Sequence, residues 1–305
     1  MNLTTPVPFN AITPAITYDK SVVFIGSCFT QNIGLKMQYY GFKTLINPFG
    51  ILFNPLSIGA LIHRSIHDIK FTINDVEDHF SYLAHSDITG STPQEVCNQM
   101  NLASSKLKNT ISTTSHLFIT LGSAWVYRHL EKDMIVANCH KQAAQLFEKE
   151  LLATDQIITV LQQITQDIHH INPNCTITFT VSPVRHTKDG FVENQRSKSR
   201  LHEAIQSTCE STNAHYLPVY EYVMDELRDY RFYGRDLVHL NELGIELVWL
   251  RFRESVINQT ALPIMNQVEK YRKLQSHRPK NQAAHEQQLN QVKQQLVDVY
   301  PFLSL

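Results

Sequence analysis

This sequence predicts an α/β domain built on a mostly parallel sheet with helices on both faces, and three observations predict it. Four short apolar runs, residues 22–25, 117–121, 176–181 and 216–219, are β-branched or aromatic and end at Gly, Ser or Pro, as buried strands do. Helical periodicity fills the spaces between them, the alternation that gives a parallel sheet covered on both sides. Hydrophobic residues make up 43% and charged residues 18% of 305 residues, enough for a large core and too apolar for disorder.

The elements follow in order. The run 22–25 leads into Gly26-Ser27-Cys28 and then a helix carrying Ile33, Leu35 and Met37. Asn54-Pro55 is an N-cap with proline at the first helical position, opening a helix through Ile58, Leu61, Ile62 and Ile66. Asp155 precedes Ile157, Ile158, Leu161, Ile164 and Ile168, and this pattern stops at Asn172-Pro173. Asn241 caps a helix over 243–257. Beyond residue 262 the chain turns Gln- and Lys-rich, with one apolar stripe at Leu289, Val292 and Leu296. The expectation is a main domain over 1–262 with a helical extension, 263–305, packed on it.

Composition excludes several classes. Lys+Arg 27 against Asp+Glu 28 gives a net charge of −1, no footprint for nucleic acid or an anionic membrane. No run approaches the ~18–20 apolar residues of a membrane span, and residues 1–20 lack the basic start and apolar core of a secretory leader. The five cysteines, at 28, 97, 139, 175 and 209, form no CxxC, which argues against a disulfide framework or a thiolate zinc site. A reduced, cytoplasmic protein is expected. No nucleotide-binding glycine motif, zincin motif or G-x-S-x-G elbow occurs.

Chemistry-bearing residues fall in two places. Ser27 and Cys28 sit where a buried strand gives way to a helix, outside the carboxyl end of a strand where α/β proteins place their sites. The helix start offers free N–H groups to a developing oxyanion. A serine there also has the simpler use of capping the helix. The second place is Arg235-Asp236-Leu237-Val238-His239, where an Asp and a His three residues apart can point into one cleft. A hydroxyl nucleophile needs a base, and the base needs an orienting acceptor. Cys28, with His239 as its base, is a rival nucleophile whose thiol a helix start would acidify. His63 and His67 have metal-like spacing on one helix face, but without a third ligand they read as a solvated face.

Gly26-Ser27-Cys28-Phe29-Thr30 resembles the signature of the GSCFA family, with Thr30 in the place of Ala. Further strings carry the resemblance: residues 47–55 (NPFGILFNP), 122–127 (GSAWVY), 137–141 (ANCHK), 180–186 (TVSPVRH) and 225–233 (DELRDYRFY). The family looks like a branch of the SGNH (GDSL-like) hydrolases, which implies a three-layer αβα sandwich. The resemblance puts Ser27 at the nucleophile place and Asp236 and His239 at the acid and base places. It makes the N–H groups of Gly50 and Ser27 the oxyanion donors. The Gly-x-Asn that such enzymes carry after the middle strand is missing, since Ser123 and Ala124 follow Gly122. Asn138 is the candidate replacement. Leu240 stands where the family has Pro after the His.

Around these, Arg185 and His186 are substrate-binding candidates at the end of the third run, with pairing to Asp225 or Glu226 as the alternative use of Arg185. Trp125 and Tyr127 are candidate pocket aromatics. Residues 225–233 read as an ion-pair network. The expected function is a serine-dependent ester hydrolase, on O-acyl groups of a carbohydrate-like substrate, without metal or organic cofactor. An acyltransferase and a catalytically weak glycan- or acyl-binding protein are the alternatives.

Overall fold

The computed structural model describes residues 4–305. The chain opens with β1 (Val22–Gly26), α1 (Cys28–Tyr39), β2 (Thr44–Ile46), α2 (Pro55–Ile66), α3 (Pro93–Ile111) and β3 (His116–Leu121). Three short strands follow, β4 (Trp125–His129), β5 (Met134–Val136) and β6 (Phe147–Leu151). Then come α4 (Thr154–Ile171), β7 (Thr176–Val181), α5 (Phe191–Ser211) and β8 (His215–Tyr216). The last three helices are α6 (Glu242–Val256), α7 (Leu262–Ser276) and α8 (Gln282–Val299).

The central sheet has the order β2-β1-β3-β7-β8, all parallel. Every residue of β1, β3 and β7 is buried, which is why these strands read as unbroken apolar or Thr-rich runs. The pleat sorts them by parity. Val23 and Ile25 face a core shared with α2, α3, α4 and α5. Val22 and Phe24 face a second core with α1, α6 and α7. Helices therefore cover both faces, as the alternation predicts. The register sets Gly26 beside Thr120, and Thr120 beside Thr180. The segments that follow these strands leave the sheet side by side.

The predicted caps form: Asn54 Oδ1 accepts from Ser57 N–H at 2.8 Å, and Asn241 Oδ1 from Gly244 N–H at 3.0 Å. Elsewhere the structure departs from expectation. The fourth run yields a strand only over His215–Tyr216. Pro218 has no N–H to give a ladder, and Val219 starts a short helical turn that continues to Glu226. Strand β2 is a three-residue edge, too short for a periodicity signal. The antiparallel sheet β5-β4-β6 is also unforeseen, because charged residues such as Arg128, Glu148 and Glu150 interrupt its apolar pattern.

Past residue 262 there are two helices. The first, α7, buries Met265, Val268 and Tyr271, and Met265 lies in the core that holds Trp249 and Phe252. Of the stripe on α8 only Leu296 is buried. The chain end returns to the body, where Ser304 N–H donates to Gly41 O at 2.9 Å. Among the described residues no helix is long and apolar enough to cross a membrane.

Gly26 fixes how closely β1 can end against β3. Its φ is +134°, and a Cβ there would stand 2.2 Å from Thr120 O. Gly26→Ala therefore has to spread the two strands as well as adopt a strained backbone. Strain of this kind costs on the order of 1–3 kcal/mol before any steric term. Urea denaturation should show a loss at least that large, whereas Gly234→Ala, where a Cβ would meet nothing closer than 3.6 Å, should lose less.

Candidate active site

The site is built on the carboxyl edge of the sheet, and residues 47–53 lie across that edge. Asn47 has φ 41°, a left-handed conformation that Asn tolerates. Its N–H donates to Phe24 O and its Oδ1 accepts from Gly26 N–H, each at 2.8 Å. Leu52 N–H donates to Gly26 O at 3.0 Å. Phe53 O accepts from Gly122 N–H at 2.8 Å and Ser123 N–H at 3.0 Å. The segment thus ties the end of β1 to the end of β3.

Ser27 is the N-cap residue of α1, but its side chain makes no capping bond. Its Oγ is buried and without a hydrogen-bond partner. Its N–H donates to Thr120 O at 3.2 Å, so it is not the free oxyanion donor that the resemblance implies. Cys28 opens α1 and is only partly buried. Burial pushes its thiol up from the ordinary range, against the N–H groups of Phe29 and Cys28 and the charge of Lys198, which pull it down. The expected acidification by the helix start is present but outweighed.

The Asp–His pair forms as the spacing predicts. Asp236 Oδ2 lies 2.7 Å from His239 Nδ1. Asp236 Oδ1 accepts from the N–H groups of Val238 and His239, both at 3.0 Å. The turn is closed behind them by Gly234 N–H donating to His239 O at 2.8 Å. The bond from His239, helped by the two amides, holds the exposed Asp236 carboxyl down at about 2. An ionised carboxylate only accepts, so Nδ1 carries the proton and Nε2 of the neutral ring is the free base.

His239 reaches the 47–53 segment through rings. Its centroid lies 5.3 Å from that of His186, and His186 lies 5.9 Å from Phe53. The pair and the Ser27–Cys28 turn therefore share one edge of the sheet. Among the described residues no hydrogen bond joins His239 to Ser27 or Cys28. The three side chains are brought to one edge, not into a bonded triad.

Beside Asp236 opens a cleft of about 500 Å³, with Arg185, Phe191, Arg228, Tyr230 and Tyr233 on its walls. Arg185 does not pair with Asp225 or Glu226. Its Nε donates to Asn194 Oδ1 at 3.1 Å, while Glu226 is taken by Arg251 at 2.9 Å. Within the expected ion-pair stretch, Asp229 pairs with Arg231 at 2.8 Å.

Three expected site residues are engaged elsewhere. Gly50 donates its N–H to Asn47 O at 2.8 Å and packs against His85, so that amide is not a free oxyanion donor. Asn138 accepts from His140 N–H at 2.7 Å and donates its own N–H to Tyr82 O, with no hydrogen bond to Ser27, Cys28 or His239. Trp125 does not line the cleft. Its Nε1 donates to Glu193 O at 3.1 Å, and Lys149 covers its ring at 4.5 Å, docking β4 onto α5.

The residue that sequence reasoning missed is Lys198. Its wholly buried ammonium donates to Gly122 O at 2.8 Å and Ser182 O at 2.7 Å, the carbonyls just past β3 and β7. A signal existed. Stepping back by helical spacing from Ile205 and Leu201 on the buried stripe of α5 reaches Lys198, Ser197 and Asn194. Ser197 Oγ accepts from Ala124 N–H at 2.8 Å, so this polar end of the stripe fixes the loop after β3.

The parallel central sheet with helices on both faces makes this an α/β protein. Within that class, the family model of the GSCFA family matches residues 21–252, and the chain belongs to the GSCFA family. Among curated proteins no match is found.

Burial, reinforced by the charge of Arg185, pushes the Lys198 ammonium down to about 7. Between about 7 and the ordinary 10.5 the unfolded chain binds the proton and the folded chain does not, so this group makes stability rise with pH across that window. Raised thiols such as Cys175, driven up by burial to about 12, pull the opposite way above their unfolded values. The readout is therefore a difference. Denaturant titrations at pH 7 and 9.5 should show the stability of wild type gaining on that of Lys198→Met as pH rises. Parallel behaviour would mean Lys198 stays charged.

Proposed function

We propose that this protein is an acyl-ester hydrolase with an SGNH-type arrangement, in which Asp236–His239 moves the proton. The observation that carries the reading is the pair itself: an ionised carboxylate fixes His239 Nδ1–H and leaves Nε2 available, on the edge where the β1–α1 turn ends. His239 takes a proton from the attacking nucleophile and returns it to the leaving alcohol. It then takes one from water to release the acyl group. The bond from His239 to the nucleophile forms when substrate is bound, since catalytic contacts tighten in the complex.

The nucleophile is supplied by the Ser27–Cys28 turn. Ser27 is the expectation from the sequence, but its hydroxyl is closed off from solvent. The neighbouring Cys28 is a half-buried residue, and its thiol is already faced by the N–H groups of Cys28 and Phe29. That observation favours Cys28 as the attacking atom and the first-turn amides of α1 as oxyanion donors. The cleft supports a substrate with a hydroxylated ring. Tyr230 and Tyr233 offer flat apolar faces, and Arg185 and Arg228 offer donors.

Hydrolysis of p-nitrophenyl esters and labelling by acylating probes test the reading. Cys28→Ala should lose activity and labelling by on the order of 10³-fold or more, while Ser27→Ala keeps both. The reverse result returns the role to Ser27. Folded protein that neither turns over nor labels is a binding protein, and acyl transfer to an added alcohol in preference to water makes it a transferase.

Turnover should fall on acidification, because only neutral imidazole accepts the proton. Asp236, held down at about 2 by its bond from His239, stays ionised throughout that range. Asp236→Asn should cost on the order of 10²–10⁴-fold in kcat. The proposal fails if Asp236→Asn leaves both kcat and the pH profile unchanged.

A further inference from the structure

We propose that His63, His67 and Asp167 form a binding site for one first-row divalent cation, of zinc type, at the edge of the sheet opposite the catalytic one. The sequence supplies two of the ligands four residues apart, His63 in the last turn of α2 and His67 as its C-cap, but no third. The fold supplies it from α4, where Asp167 lies against the end of α2.

The three ligand atoms are already gathered. His63 Nδ1 stands 2.9 Å from Asp167 Oδ2, and His67 Nε2 stands 3.0 Å from Asp167 Oδ1. All three groups offer ligand atoms within 4.8 Å of one another. Tetrahedral ligands at zinc bond lengths lie roughly 3.3 Å apart, so an ion can enter with small side-chain adjustments. The two imidazole rings converge on the carboxylate, with centroids 4.4 Å apart. Two imidazoles and a carboxylate are a borderline donor set that suits zinc over calcium or magnesium.

Burial and field point the same way. The Asp167 side chain is only 5% exposed, while the imidazoles are 45% and 40% exposed. A carboxylate sunk between helices with half-open imidazoles above it leaves one side for entry and for a water ligand. Gln163 Nε2 donates to Asp167 Oδ1 at 2.9 Å, orienting the carboxylate as second partners orient metal ligands. Both α2 and α4 end here, at Ile66 and Ile171, so the negative ends of two helix dipoles meet at the site and favour a cation. Binding shifts the proton of each ring from the nitrogen that faces Asp167 to the other ring nitrogen, and the nitrogens so freed, His63 Nδ1 and His67 Nε2, become ligands.

The site is separate from the Asp236–His239 pair, so its test does not depend on the catalytic reading. Chelator-treated full-length protein should take up one equivalent of zinc in a calorimetric titration, and its Tm should rise with zinc. Cobalt in place of zinc should give the visible bands of a four-coordinate ion. His63→Ala and His67→Ala each alter a half-exposed side chain and should fold. Each should weaken binding by on the order of 10–100-fold or more and abolish the Tm rise. No saturable uptake by wild type overturns the proposal. So does uptake that both variants retain, which would place the ion elsewhere, for instance at Cys139 and His140.

Discussion

One buried ammonium holds the floor of the site. Lys198 reaches from α5 to the carbonyls of Gly122 and Ser182, the first residues beyond β3 and β7. Those carbonyls have left the sheet ladder and would otherwise be buried acceptors without donors. A lysine so placed has lost its water entirely, and burial pushes its proton affinity down to about 7. The cost is tolerated because it fixes two strand ends at once. With Gly26 pressed on Thr120 and Asn47 bonded to Gly26, the three central strands finish in a set geometry.

On that floor the two chemical halves come from distant parts of the chain. The Ser27–Cys28 turn belongs to the first strand and its helix. The Asp236–His239 turn belongs to the loop before α6 and is closed by its own backbone bonds. The rings of Phe53 and His186 stand between them. Each half is held by its own backbone hydrogen bonds, and among the described residues none joins His239 to Ser27 or Cys28. The amides of Ser27 and Gly50 both serve the scaffold, bonded to Thr120 O and Asn47 O.

Helix α2 connects this edge to the opposite one. It begins after the 47–53 segment and ends at the His63–His67–Asp167 cluster, a span of roughly 18 Å at 1.5 Å per residue. Its packing on α4 is thus held by an apolar core along its length and by a polar clasp at its far end. Groups at the two ends do not share partners, so changes at the clasp and changes at the carboxyl edge should act independently.

What the sequence determined by itself was local. The strands β1, β3 and β7 were legible because full burial makes a strand uniformly apolar or β-branched. The helices after Asn54 and Asn241 were legible because an N-cap is a bond between residues three apart. The Asp236–His239 pair was legible for the same reason: both ends of the bond lie on one turn. Tertiary structure decided whatever depends on which backbone group reaches a partner far along the chain. It spent the Ser27 amide on Thr120 and the Gly50 amide on Asn47, turned Trp125 toward Glu193, and buried the Ser27 hydroxyl beside a half-buried cysteine. It also brought Asp167 to a histidine pair a hundred residues away, and Lys198 to two carbonyls that belong to different strands. Periodicity marks Lys198 as a position on a buried stripe, but it names no partner for any of these groups, because the partners become neighbours only when the sheet has set its strand order.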